Sequence, residues 1–216
     1  MCITELTAFR LSRRILHLQV FTMVWMAVEA AVSLFAAWRA HSPALLGFGG
    51  DSAIELLSAA VVFWRFRSNS NPELAERYAA RIAGALLIVL ALFVAITSVL
   101  SLLGYREPQA SRLGIAVLLL AAVIMPWLAR EKRKLAAAIS SAALRADAAE
   151  SALCGYLAWI ALAGVLLNTL WAKPWADPLA ALLLIPLILR EGWEALRSRR
   201  SSRAASESAK SNLLNN

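Results

Sequence analysis

The sequence predicts an all-α polytopic membrane protein, a six-helix transmembrane bundle. Three observations lead there. Hydrophobic residues make up 60% of the 216-residue chain, above the roughly half that is usual in soluble domains. The charged residues are gathered into short clusters between long uncharged runs, as a bilayer requires. Those clusters alternate along the chain between strongly and weakly basic, as expected of segments that cross and return.

Six spans follow in order, at about residues 15–38, 42–64, 82–104, 113–129, 138–168 and 175–189. The third contains no charged residue, and the fourth carries Pro126 near its end. A span needs roughly 20 apolar residues, with about 17 as the usual lower limit. The sixth is therefore short and relies on its neighbours. Arg10, Arg13 and Arg14 precede the first span, and Arg65, Arg67, Arg77 and Arg81 lie between the second and third. Arg130, Lys132, Arg133 and Lys134 lie between the fourth and fifth, and Arg190, Arg197, Arg199, Arg200 and Arg203 follow the sixth. The alternate connections hold only Arg39, Arg106, Arg112 and Lys173. This asymmetry, with an even number of spans, predicts that both termini are cytoplasmic.

The chain divides into a cytoplasmic N-terminal segment (1–14), a six-span domain (15–195) and a tail (196–216). The tail is polar and Ser-rich without apolar periodicity, so it is expected to be disordered. No small-residue cleavage site follows the first apolar run, so a cleaved signal peptide is not predicted. The net charge of +8 sits in clusters flanking the spans, a pattern of topology and anionic-lipid contact and not of a nucleic-acid face. With only two cysteines, Cys2 and Cys154, a disulfide framework is not expected.

Charge inside the spans marks the functional residues. Asp51 and Glu55 are i and i+4 in the second span, on one helix face and about 6 Å apart along the axis. Ionised carboxylates near the bilayer centre cost several kcal/mol unless paired, coordinated or hydrated. The fifth span repeats the spacing in Glu150 and Cys154, with Asp147 one turn earlier. If the two faces meet, Asp51, Glu55, Glu150 and Cys154 offer three oxygens and a sulfur to one point. Four such ligands suit tetrahedral Zn²⁺ or another thiophilic divalent ion, whereas Mg²⁺ or Ca²⁺ prefers six or more oxygens.

Plainer readings stand beside these. Asp51 and Glu55 pair with Arg145, or cap a helix break at Gly47, Gly49 and Gly50; Cys154 is a small buried hydrophobe; Asp147 belongs with Arg145 at the cytoplasmic mouth. Glu29, in the middle of the first span, is a proton-handling group or a structural hydrogen-bond partner. His41 passes metal at the outer mouth or is a solvated loop residue, and His17 is interfacial. Trp25, Trp38, Trp64, Trp127, Trp171 and Trp175 fit an aromatic belt.

The segments "HSPALLGFGGDSAIE", "ALRADAAESALC" and "WADPLAALLLIPLIL" resemble the cation diffusion facilitator transporters across about residues 15–195. The form of the first two is most similar to the branch that includes transmembrane protein 163. The resemblance implies a four-ligand transport site, which maps here to Asp51, Glu55, Glu150 and Cys154. It also implies zinc-type substrates, proton antiport and a homodimer. Two departures are visible: Glu150 and Cys154 replace the usual His-Asp pair of the fifth span, and the usual C-terminal cytoplasmic metal-binding domain is missing.

The expected function is export of a divalent metal ion by proton exchange, with zinc leading and cadmium, cobalt, iron and manganese also candidates. No prosthetic group is expected. The expected partners are metal ions, protons, membrane lipid and a second copy of the chain, in a bacterial inner membrane. The rival is a metal sensor or accessory subunit that does not transport. An intramembrane enzyme using Cys154 is disfavoured, since no histidine lies within a span near it and no oxyanion-type Gly motif flanks it.

Overall fold

The computed structural model of the chain describes residues 2–65, 72–138 and 142–197, with side chains for 13–57, 81–138, 144–145 and 147–196. Most of the expected 196–216 tail lies outside the described residues. Those that are described form six helices: α1 (Cys2–Ala40), α2 (Pro43–Arg65), α3 (Pro72–Leu102), α4 (Arg112–Ala138), α5 (Ala142–Trp171) and α6 (Ala176–Arg197). The architecture is the all-α polytopic bundle read from the sequence. Four helices are long and apolar enough to cross a membrane by length and composition: Arg13–Ala40, Arg81–Leu102, Arg112–Ala138 and Asp147–Trp171. α2 and α6 complete the bundle as the shorter, more acidic pair, carrying Asp51, Glu55, Asp177 and Glu191.

Several helix bounds differ from the sequence reading: α1 starts at Cys2 against an expected start at about residue 15, α3 at Pro72 against about 82, and α5 at Ala142 against about 138. The helices α4 and α6 also outlast their apolar runs. α4 continues past residue 129 to Ala138, and α6 continues past 189 to Arg197. In both cases the apolar run stops before the helix does, because Lys, Arg and Glu propagate a helix well. α2 runs unbroken through Gly47, Gly49 and Gly50, and Arg145 is exposed, so the pairing and helix-break alternatives for Asp51 and Glu55 do not apply.

The helices close a ring in the order α1–α2–α3–α6–α5–α4, with α2 also touching α5 and α6 across it. α1, α3 and α5 each end in a residue of left-handed backbone, His41 (φ 52°), Gly104 (φ 83°) and Ala172 (φ 49°), a common helix stop. His41 is exposed at that stop. The short connections at this end are tied together: Gln109 N donates to Ala40 O at 2.8 Å, and Asn168 Nδ2 to Pro108 O at 2.9 Å. The other end of the bundle carries the basic residues and is called the basic end below.

Outward faces are apolar, for example Val24, Leu92, Val123 and Leu183, all more than half exposed, as lipid contact demands. The inside is built from small residues and a few large ones, including Ala44, Leu45, Phe48, Ala91, Leu118, Ala161 and Leu184. Small residues let helices approach closely where lipid removes most of the hydrophobic drive to associate. A second cluster of Met26, Met125 and Leu128 surrounds Cys154.

Candidate metal centre

The N-terminus of α2 is anchored first. Ser42 Oγ caps it by accepting from Leu45 N at 3.1 Å, and Pro43 occupies the first turn, where no N–H is missed. Asp177, fully buried at the start of α6, accepts from Ser42 Oγ at 2.5 Å and from Ala44 N at 3.1 Å. This staple sets the height of α2 against α6. It places Asp51 two turns inside the bundle and Glu55 one turn nearer the basic end.

α5 approaches from the other side. Gly155 lies against α4, where a Cβ would meet Pro126 Cγ at 3.0 Å, so the missing side chain seats the proline ring beside Cys154. Pro126 itself removes one backbone hydrogen bond from α4. The outcome is a group of three: one donor atom each from Asp51, Glu55 and Cys154, all within 4.8 Å of one another. The Cys154 thiol donates to Glu55 Oε2 at 3.0 Å. Asp51 is 1% exposed, and neither of its oxygens has a donor among the described residues.

More acid lies behind the group. Glu29 of α1 is fully buried and accepts from Ser52 Oγ at 2.7 Å, while its second oxygen has no donor among the described residues. Ser52, next to Asp51, links that carboxylate to the site helix, and its hydroxyl also lies 3.2 Å from Phe48 O. Trp25 sits mid-helix in contact with Glu29, away from any aromatic belt. So much negative potential without a nearby partner is unfavourable in a low-dielectric interior unless a cation enters. Three donors of this type, two oxygens and a sulfur, suit a borderline to soft divalent ion.

Residues 20–202 match the cation efflux transmembrane domain. The chain belongs to that family. Members of the cation efflux family are transporters of divalent metal ions and not enzymes, so this is an integral membrane protein for metal-cation efflux. No curated protein matches the chain.

Within this cation efflux domain the remaining sequence candidates are placed differently. Glu150, one turn nearer the basic end than Cys154, is exposed and outside the 4.8 Å group. Asp147 accepts from Lys132 Nζ at 2.8 Å and from Gln19 Nε2 at 2.9 Å. Lys132 is fully buried and also donates to Ser151 Oγ at 2.9 Å. Asp147 thus belongs to an α1–α4–α5 polar network, and its partner is Lys132 in place of Arg145. Exposure rises from Asp51 through half-buried Glu55 to Glu150, so the centre is most accessible from the basic end. The opposite side is closed by Leu45, Phe48, Leu184 and the Ser42–Asp177 staple.

Sequence reasoning missed two functional candidates. In the sequence Lys132 reads as one of the topology-setting loop charges, yet it shares a buried helical face with Met125, Leu128, Ala129 and Ala136. Glu191 of α6, beyond the predicted sixth span, reaches the site beside Asp51.

Proposed function

We propose that the protein exports a divalent metal ion, zinc first among the candidates, from the cytoplasm in exchange for protons. The observation that carries this reading is the group Asp51, Glu55 and Cys154, whose ligand atoms lie within 4.8 Å while Asp51 accepts from no donor among the described residues. Glu150, exposed toward the basic end, is the group that meets the ion on its way in. The positive-inside asymmetry makes the basic end cytoplasmic, so the exposure gradient corresponds to a centre that faces inward.

Proton exchange needs no extra machinery. Carboxylates and a thiol bind metal when deprotonated, so metal and protons compete for the same atoms. Cytoplasmic metal displaces the thiol proton held between Cys154 and Glu55. Once the centre opens to the other side, incoming protons release the ion. Rocking of helices about a fixed midplane site is sufficient for alternating access. The Ser42–Asp177 staple closes the outer side, and the Lys132–Asp147 pair ties α4 to α5 near the inner side. The resemblance to the cation diffusion facilitator transporters supports a homodimer, in a bacterial inner membrane.

Transport into proteoliposomes with an imposed proton gradient tests this function. The reading requires gradient-dependent Zn²⁺ flux that Asp51→Ala abolishes. No flux of any divalent metal by folded wild-type protein would leave only a sensing or accessory role for the centre.

A further inference from the structure

α6 is held in one rotational setting by a backbone contact with α3. A Cβ on Gly84 would lie 2.7 Å from the Gly192 carbonyl oxygen, and one on Gly192 would lie 3.1 Å from the Gly84 carbonyl oxygen. Only glycine allows the two helices to meet so closely. The residue before Gly192 is Glu191, and this setting turns it inward, while Arg190 stays exposed and binds Glu194 at 2.8 Å. The Glu191 carboxyl reaches that of Asp51 and lies close to Glu55. Both Glu191 oxygens and both Asp51 oxygens are buried without a donor among the described residues. Four acceptor oxygens on two facing carboxyls are compatible with each other only when a proton or a metal cation stands between them, the two occupants that compete for this site. Glu191, like Glu150, lies outside the 4.8 Å group itself, but unlike Glu150 its oxygens are buried, and it contacts the group through Asp51 from a third helix.

We propose that Glu191 of α6 is a direct ligand of the transported divalent cation, shared with Asp51. This rests on the reading that Asp51, Glu55 and Cys154 hold that cation. The ligand set then comes from α2, α5 and α6 as three carboxylates and one sulfur, with Glu191 in the place that spacing alone gave to Glu150. Metal binding pulls α6, and α3 packed on it through Gly84 and Gly192, against α2. Occupancy of the centre is thereby tied to the setting of the α3–α6 pair.

The test uses full-length protein in detergent, titrated with Cd²⁺ while following cadmium–thiolate absorption. Wild type, Cys154→Ser, Glu191→Gln and Glu194→Gln are compared at low salt and in roughly 1 M sodium perchlorate, where the Debye length falls to about 3 Å. The absorption is expected in wild type and absent from Cys154→Ser. Glu191→Gln keeps it but needs at least about 10-fold more Cd²⁺ at both salt levels, since losing a ligand costs no less than losing a supporting partner. Glu194→Gln, the same charge change three residues on, titrates like wild type. Wild-type affinity in Glu191→Gln, or a loss that high salt removes, overturns the α6 ligand while leaving the Cys154 centre in place. Wild type without Cys154-dependent absorption overturns the centre itself and the α6 ligand with it. Glu191→Leu, close in size and without a ligating atom, replaces the Gln variant should the amide fail to pack.

Discussion

The Cys154 thiol donates to Glu55 Oε2 at 3.0 Å, across the contact between α5 and α2. A hydrogen bond between a potential thiolate and a potential carboxylate holds a proton where a metal ion would otherwise join the two. Replacing the sulfur should therefore change which ion is preferred. Cys154→Ser is expected to lower Cd²⁺ affinity by about 10- to 100-fold and Zn²⁺ affinity by less, because the soft ligand is lost while the oxygens remain. Competition titrations of the two ions check this.

Asp51 is buried with no donor to either oxygen among the described residues, so its substitution should separate stability from binding. Asp51→Asn removes a charge and supplies N–H donors to the facing Glu191. It is expected to stabilise the metal-free protein by roughly 1–3 kcal/mol while abolishing stabilisation by added metal. Thermal unfolding with and without Zn²⁺ reads both signs. A metal-free loss of stability would contradict an Asp51 carboxyl that lacks a donor.

Much of this centre was legible in the chain because it depends on one helix at a time. Asp51 and Glu55 share a face by i,i+4 spacing, whatever packs around them, and Cys154 follows by the same rule in the fifth span. What could not be read was the pairing between helices. Glu191 lies beyond the last apolar run, beside Arg190 and Gly192, and locally resembles a solvated helix end; only the Gly84–Gly192 contact turns it inward. Lys132 was hidden in the cluster Arg130–Lys134 for the same reason, although its spacing from Leu128 and Ala136 already placed it on the apolar face. Glu150 has the right spacing, but nothing in spacing tells a turn packed on α2 from one that opens toward the basic end.

Lys132 is fully buried, and its partner Asp147 is 28% exposed. Lys132→Met leaves Asp147 with only Gln19 among the described residues, and the cost is expected to be about 3 kcal/mol, at the low end for a broken buried pair because the carboxylate keeps some solvent. The double variant Lys132→Met/Asp147→Asn should recover most of that loss. A double-mutant cycle in mixed-micelle unfolding measures the coupling, and strictly additive effects would argue against the pair.

Asp177 holds two donors from the start of α2, Ser42 Oγ and Ala44 N. Asp177→Asn turns one acceptor into a donor facing a donor, at an expected cost of about 1–3 kcal/mol. Transport should fall with it, since the height of Asp51 depends on this staple. Unfolding and flux measured on the same preparation test the two together.

Acidity should weaken metal binding throughout. The carboxylates and the thiol must give up protons to ligate, so lowering the pH raises the metal concentration needed for half-saturation, and binding releases protons into weakly buffered solution. Titrations at several pH values with a proton-release indicator follow both effects. Binding that is independent of pH would exclude competition between metal and protons.

The most direct measurement is X-ray absorption at the zinc edge on metal-loaded full-length protein. The predicted first shell is one sulfur at about 2.3 Å and oxygens at about 2.0–2.2 Å, with the sulfur lost in Cys154→Ser. A shell of oxygens alone in the wild type, or one unchanged by Cys154→Ser, would contradict the centre formed by Asp51, Glu55 and Cys154.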